Sequence, residues 1–218
     1  MSLTALPSGF NPAYHRSGQI RSIAHPGILL PGTNVNIFKG QPVKILIGTG
    51  AVVNGVTIPA GQVYLAPITA TTDPVWGVFA GCEYYDALGT PQESNFWPAS
   101  QATLANTVIT AFLWEDPEIV YTAQTDGTSF GVTTTLGDGY ARLDGRELNT
   151  SNFAAGNATV GLSQATLAAS TIVATGTQGQ WQIEKVDPSI LNQTAGDTYL
   201  QLQVSVARSQ VAAPNVSI

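Results

Sequence analysis

Charge is scarce in this chain. Charged side chains make up 10% of its 218 residues, well under half of the ~25% found in an ordinary domain. Cations are scarcer still in the middle. No lysine or arginine lies between Lys44 and Arg142, whereas Asp73, Glu83, Asp86, Glu93, Glu115, Asp116, Glu118, Asp126 and Asp138 all do. Phosphate contacts depend on lysine and arginine, so direct nucleic-acid binding is not expected. Cys82 is the only cysteine, which excludes an intrachain disulfide framework and fits synthesis in a reducing cytoplasm. The two histidines, His15 and His25, lie far from it, so no metal site is expected. No apolar run approaches the ~20 residues of a membrane span. MSLTALPSGFNP lacks the basic-then-apolar order of a signal peptide, so none is expected. Also missing are a fixed-period repeat, which argues against a solenoid or fibre, and the GxxxxGK[ST], GxGxxG and GxSxG motifs. No cofactor and no enzymatic activity are expected.

What remains is apolar, small and turn-forming: 44% hydrophobic residues, 22 glycines and 13 prolines. At this length a core that buries roughly 70% of the unfolded surface is feasible. Residues 76–124 hold three of the four tryptophans, Trp76, Trp97 and Trp114, with Cys82 and the acidic run Glu115-Asp116-Pro117-Glu118. Two short runs rich in β-branched and aromatic residues, Val75–Cys82 and Val108–Trp114, read as core strands of one sheet system.

The expected fold class is mainly β, a β-barrel or β-sandwich of β-tulip-like form with an extended N-terminal arm. Residues 1–33 are the arm. Pro7, Pro12, Pro26 and Pro31 bias it to extended backbone, with at most a short strand near Gln19–Ala24. Residues 34–126 are the β-barrel core. Val35, Ile37, Val43, Ile45 and Ile47 alternate about a Lys39-Gly40 turn. An Asn-Gly signal at Asn54-Gly55 and a turn at Pro59-Ala60-Gly61 mark a hairpin within 51–65. Residues 83–98 read as a long connection with a turn at Leu88-Gly89, Ser100–Asn106 as one helical turn, and Val108–Trp114 and Ile119–Gln124 as strands broken at Asp116-Pro117. Residues 127–179 form a Gly/Thr/Ala-rich insertion or small lobe, with a helical turn around Leu162–Ala169. Residues 180–218 return to the core: Trp181 and Ile183, then Leu200, Leu202, Val204 and Val206, alternate with polar residues as in half-buried strands.

Each chemically suggestive residue has a plainer reading. Cys82 beside Gly81 reads as a packed thiol without a base to activate it. Glu115, Asp116 and Glu118 hold carboxylates of the type a glycoside hydrolase pairs, but next to Pro117 they read as a solvated turn. Asp126-Gly127 and Asp138-Gly139 are turn dipeptides, and the calcium-loop spacing is missing. Trp97 reads as a satellite core residue, or, if exposed, as an interface anchor.

Four phrases carry a resemblance in their order and spacing. SGFNPAYHRSGQIR, TNVNIFKGQPVKIL, WGVFAGCEYYDALGTPQESNFWPAS and AFLWEDPEIVYTAQTDG are similar to a family of tailed-bacteriophage head proteins, the capsid cement or decoration proteins. The similarity covers most of residues 8–127. It implies a virion structural protein on the outer capsid surface, made in the host bacterial cytoplasm, that bridges neighbouring capsomers. The implied partners are the major capsid protein and other copies of the chain, with a homotrimer favoured by analogy, and neither nucleic acid nor membrane. Phe10, Tyr14, Arg16 and Trp97 are the candidate interface residues. The alternatives are a tail, collar or host-binding protein, and then a carbohydrate-binding β module using Trp97, Tyr84 and Tyr85.

Overall fold

The structure, a computed structural model, describes residues 7–53, 55–127, 145–149, 151–153, 155–172, 178–187 and 199–211. Among these it contains eighteen strands and no helix. In chain order they are β1 (Asn11–His15), β2 (Ile23–Pro26), β3 (Ile37–Phe38), β4 (Pro42–Ile47), β5 (Val52–Val53) and β6 (Val56–Thr57). β7 (Val63–Pro67), β8 (Gly77–Tyr85), β9 (Pro91–Ser94), β10 (Phe96–Trp97), β11 (Thr110–Trp114) and β12 (Ile119–Gln124) follow. The last six are β13 (Gly145–Leu148), β14 (Gly156–Asn157), β15 (Leu162–Ser163), β16 (Leu167–Ile172), β17 (Trp181–Val186) and β18 (Gln201–Val206).

Two six-stranded antiparallel sheets dominate. One runs β1-β12-β18-β17-β13-β16; the other runs β2-β11-β8-β4-β7, with β9 also paired to β8. We call them sheets A and B. Neither closes into a barrel among the described residues, so of the two expected architectures the sandwich describes them. The Val75–Cys82 and Val108–Trp114 runs become β8 and β11, direct neighbours in sheet B. Their register shifts between Phe112↔Gly81 and Leu113↔Phe79, which leaves Ala80 unpaired as a bulge.

Apolar residues collect in two cores. Sheet A contributes Tyr121, Leu148, Leu167, Trp181, Ile183, Leu202 and Val204 to the first, which Val78 and Trp114 of sheet B close from the other side. Phe79, Cys82, Ala111 and Leu113 point the opposite way, into a second core with Leu29, Ile37 and Trp97. Sheet B is therefore covered on both faces at its Trp114–Val78 end, and burial on both faces favours its near-continuous apolar strands.

Several local expectations fail for reasons the packing makes plain. β1 was not expected, and the strand expected near Gln19–Ala24 sits later, at Ile23–Pro26. Residues 83–98 are a β8–β9 hairpin followed by β10 instead of an irregular connection. Neither proposed helical turn forms: residues 100–106 hold turns and one bridge, Asp86↔Thr103, and Leu162–Ala169 runs from β15 through a three-residue link into β16. Burial of Leu167 in the sheet A core outweighs the helix propensity of its leucine and alanine neighbours. Asn54 and the 128–144 stretch with Asp138-Gly139 lie outside the described residues.

The arm is not detached from the core. It supplies an edge strand to each sheet, β1 against β12 and β2 against β11. Gly40 lets it lie close: φ is 83°, and a Cβ there would come within 2.9 Å of the Ser8 carbonyl oxygen. The Phe10 N–H donates to the Gly40 carbonyl at 2.7 Å.

Candidate functional site

The chain passes from sheet B to sheet A at the β11–β12 corner. Asp116-Pro117 turns it: the Glu118 N–H donates to Asp116 Oδ1 at 2.9 Å, and the Ile119 N–H to the Asp116 carbonyl at 3.0 Å. That is the geometry a proline favours at the second position of a tight turn. The arm crosses between the same sheets alongside, in the loop from Arg16 to Ser22. Both arm histidines meet the acidic corner there. His15 Nε2 lies 3.0 Å from Asp116 Oδ2, and His25 Nε2 lies 2.8 Å from Glu115 Oε2. Trp76 Nε1 donates to the same Glu115 oxygen at 2.5 Å. Both imidazole nitrogens are screened from solvent, and neither is aligned for a directed hydrogen bond despite the short distance. Of the acidic run, Asp116 and Glu118 are exposed as a solvated turn requires, while Glu115 is drawn into the corner by His25 and Trp76.

His15 also stands near a serine. Its Nδ1 accepts the Ser17 backbone N–H at 3.0 Å and lies 2.6 Å from Ser17 Oγ. Serine, histidine and aspartate together invite comparison with a hydrolytic triad. The nitrogen that would have to take the hydroxyl proton, however, already serves as acceptor for the backbone N–H. This arrangement clamps a turn.

Cys82 is fully buried, and its Sγ points to the Phe96 carbonyl at 3.7 Å. Burial, with a smaller contribution from neighbouring Glu83, pushes its thiol up to about 12. A thiol so placed is not a nucleophile at neutral pH. Among the described residues no group of three or more His, Cys, Asp and Glu side chains converges as a metal site.

The four interface candidates separate into two pairs. Phe10 and Trp97 are 0% exposed. Phe10 stacks on Trp181 with centroids 4.2 Å apart, and Trp97 packs edge-on to Tyr84 at 5.3 Å. Both are core residues, and neither offers its side chain to a partner in this conformation. Tyr14 and Arg16 do lie at the surface. Arg16 pairs with Glu184 at 3.0 Å with its side chain 57% exposed, and Lys185 Nζ sits 5.5 Å from the Tyr14 ring centroid. Burial of Trp97 also breaks up the Trp97–Tyr84–Tyr85 group, of which only Tyr85 is exposed.

A different surface comes forward at the β8–β9 end of sheet B. The hairpin tip is built by Asp86, whose Oδ1 accepts the Leu88 and Thr90 N–H groups at 2.9 Å. The Thr90 N–H foremost holds that carboxyl below the usual carboxylate range. This tip presents Leu88, 92% exposed, near Tyr85, Leu104 and Val108, which is 60% exposed. On the adjoining sheet face Glu83 and Glu93 are direct cross-strand partners, with Thr110 level on the other side. A groove of about 320 Å³ runs past them, lined also by Tyr85, Val108 and Thr110. Residue-level reading missed this pair. Its signal was the Leu88-Gly89 turn: folding the chain there sets Glu83 opposite Glu93. The histidine–carboxylate contacts had no local signal at all.

No protein-family model, curated protein or solved structure matches the chain.

Proposed function

We propose that this chain is a virion structural protein, a capsid cement or decoration protein of a tailed bacteriophage, that binds the outer face of the major capsid lattice and stabilises the head. The observation that carries the proposal is the resemblance of residues 8–127. Its four phrases fall on β1 and the loop after it, on β3–β4, on β8–β10 and on β11–β12, which take in part of the arm, much of sheet B and the corner it shares with sheet A. An apolar hairpin tip at Leu88 and an acidic, low-charge middle also fit a protein that lies on other protein and not on nucleic acid. In this mechanism no single tight site is required. Hairpin tips and the Tyr14–Arg16 edge of sheet A each make a modest contact with a capsid subunit, and repeated contacts act together through avidity.

The test is co-sedimentation of the purified protein with expanded capsids assembled without it. Saturable binding at a fixed ratio to the major capsid protein is expected. Leu88→Asp and the Tyr14→Ala, Arg16→Ala pair should each weaken it about tenfold, in the range of modest interface residues. Failure to bind capsids at any concentration would remove the proposal and leave a tail or collar component as the next one to test.

A further inference from the structure

Like charges directly opposite each other on neighbouring strands destabilise a sheet. Glu83 and Glu93 are such a pair; Lys39 lines the adjoining cleft with them, but no lysine or arginine lies within ion-pair distance of either among the described residues. Five cations elsewhere are engaged. Arg16 pairs with Glu184, Lys44 with Asp73 and Arg208 with Glu147, while Lys39 and Lys185 lie over aromatic rings. Among the cations whose side chains are described, Arg21 is the exception. It is exposed in the loop between β1 and β2, has no ion-pair partner among the described residues, and is flanked by exposed Ile20 and Ile23.

A single molecule does not bring the two together. Pro26, Thr110 and Glu83 lie level across three adjacent strands, and Arg21 is five residues further along. At ~3.3 Å per residue and ~4.8 Å per strand, Arg21 and Glu83 are roughly 20 Å apart, beyond the reach of an arginine side chain. Between copies the two surfaces are complementary in charge. The groove offers two carboxylates between Tyr85 and Val108, and the loop offers a guanidinium between two isoleucines. An arginine inserted between two carboxylates and packed by aromatic and aliphatic side chains is a common interface anchor.

We infer that the Glu83–Glu93 groove of sheet B is a docking site for the Arg21 loop of a second copy of this chain. The two surfaces differ, so the contact is head-to-tail and closes into a ring only if the rotation between copies permits. Capsid binding is not needed for this contact, which forms in solution.

Sedimentation velocity on the purified full chain tests it with charge-swapped variants. The wild type is expected to associate beyond its 22.8 kDa monomer mass, less so in high salt. Arg21→Glu alone, or Glu83→Lys with Glu93→Lys, should weaken association about tenfold or more. The combination of all three should restore it in mixtures and alone. All three positions are exposed, and unchanged circular dichroism and melting would show that the variants fold. A wild type that stays monomeric overturns the inference. So does association that the single-sided swaps leave intact, or a triple variant that fails to recover. A monomer that binds capsids only when Glu83 and Glu93 are present would reassign the groove to the capsid protein. That result would leave the capsid reading standing and sink this one.

Discussion

Phe10 and Trp97 show how a side chain's role follows from what covers it. Each sits in a polar stretch, and each is fully buried against a ring brought from elsewhere in the chain. Phe10→Ala and Trp97→Ala should each cost about 3–5 kcal/mol of stability, the usual range for deleting a buried aromatic, whereas Tyr14→Ala should stay within about 0.5 kcal/mol, as exposed substitutions do. Urea unfolding of the three variants separates these roles, and equal small effects would contradict the placement of the arm. Cys82 gives a second check. With its thiol pushed up to about 12 by burial and then by Glu83, it should resist an aromatic disulfide reagent at pH 8 until the protein is unfolded. Asp73 supplies the pH dependence. Burial acts to raise its carboxyl, but the Lys44 hydrogen bond and the Thr69 and Ala70 N–H groups outweigh burial and hold it below the usual range. Between its folded value and the ordinary ~3.9 of an unfolded aspartate, the unfolded state binds more protons. Its contribution is therefore complete above that ordinary value and is lost as pH falls through the folded one. Wild type should lose more stability than Asp73→Asn between pH 5 and pH 3, as read from denaturation midpoints.

At the scale of elements, the arm is the instructive case. β1 and β2 pair with β12 and β11, and His15 and His25 meet Asp116 and Glu115 at the corner where those strands join. Hydrogen exchange should find the β1 amides that face β12 protected to nearly the same degree as β12 itself. Free exchange throughout residues 11–15 would mean an undocked arm. Strands whose cause is local were legible beforehand. The Leu200–Val206 alternation, the Lys39-Gly40 turn and the apolar runs of β8 and β11 all carry their reason in neighbouring residues, although β18 is buried on both faces and not half-buried, its Gln203 and Ser205 donating to Asp187 and Glu184. β1 does not, because NPAYH has neither alternation nor high strand propensity and owes its extension to a partner about a hundred residues away. The same holds for β16, where Leu167 and its alanines would suit a helix but the sheet A core claims the leucine. Glu83 and Glu93 fall between these cases. A hairpin centred on Leu88-Gly89 implies their pairing, but reading residues 83–98 as a loop conceals it.

For the whole molecule, two sheets share a corner, an arm binds both, and the β8–β9 end of sheet B carries the Glu83–Glu93 pair beside exposed Tyr85, Leu88 and Val108. The claim most in need of a direct answer is where the chain resides. Cryo-electron microscopy of purified virions, with copies counted per particle, supplies it. Density for this sandwich is expected repeated at regular lattice positions across the outer capsid, in numbers proportional to the capsomers. Density confined to a few copies at the tail or portal vertex, or none on the particle, would contradict it.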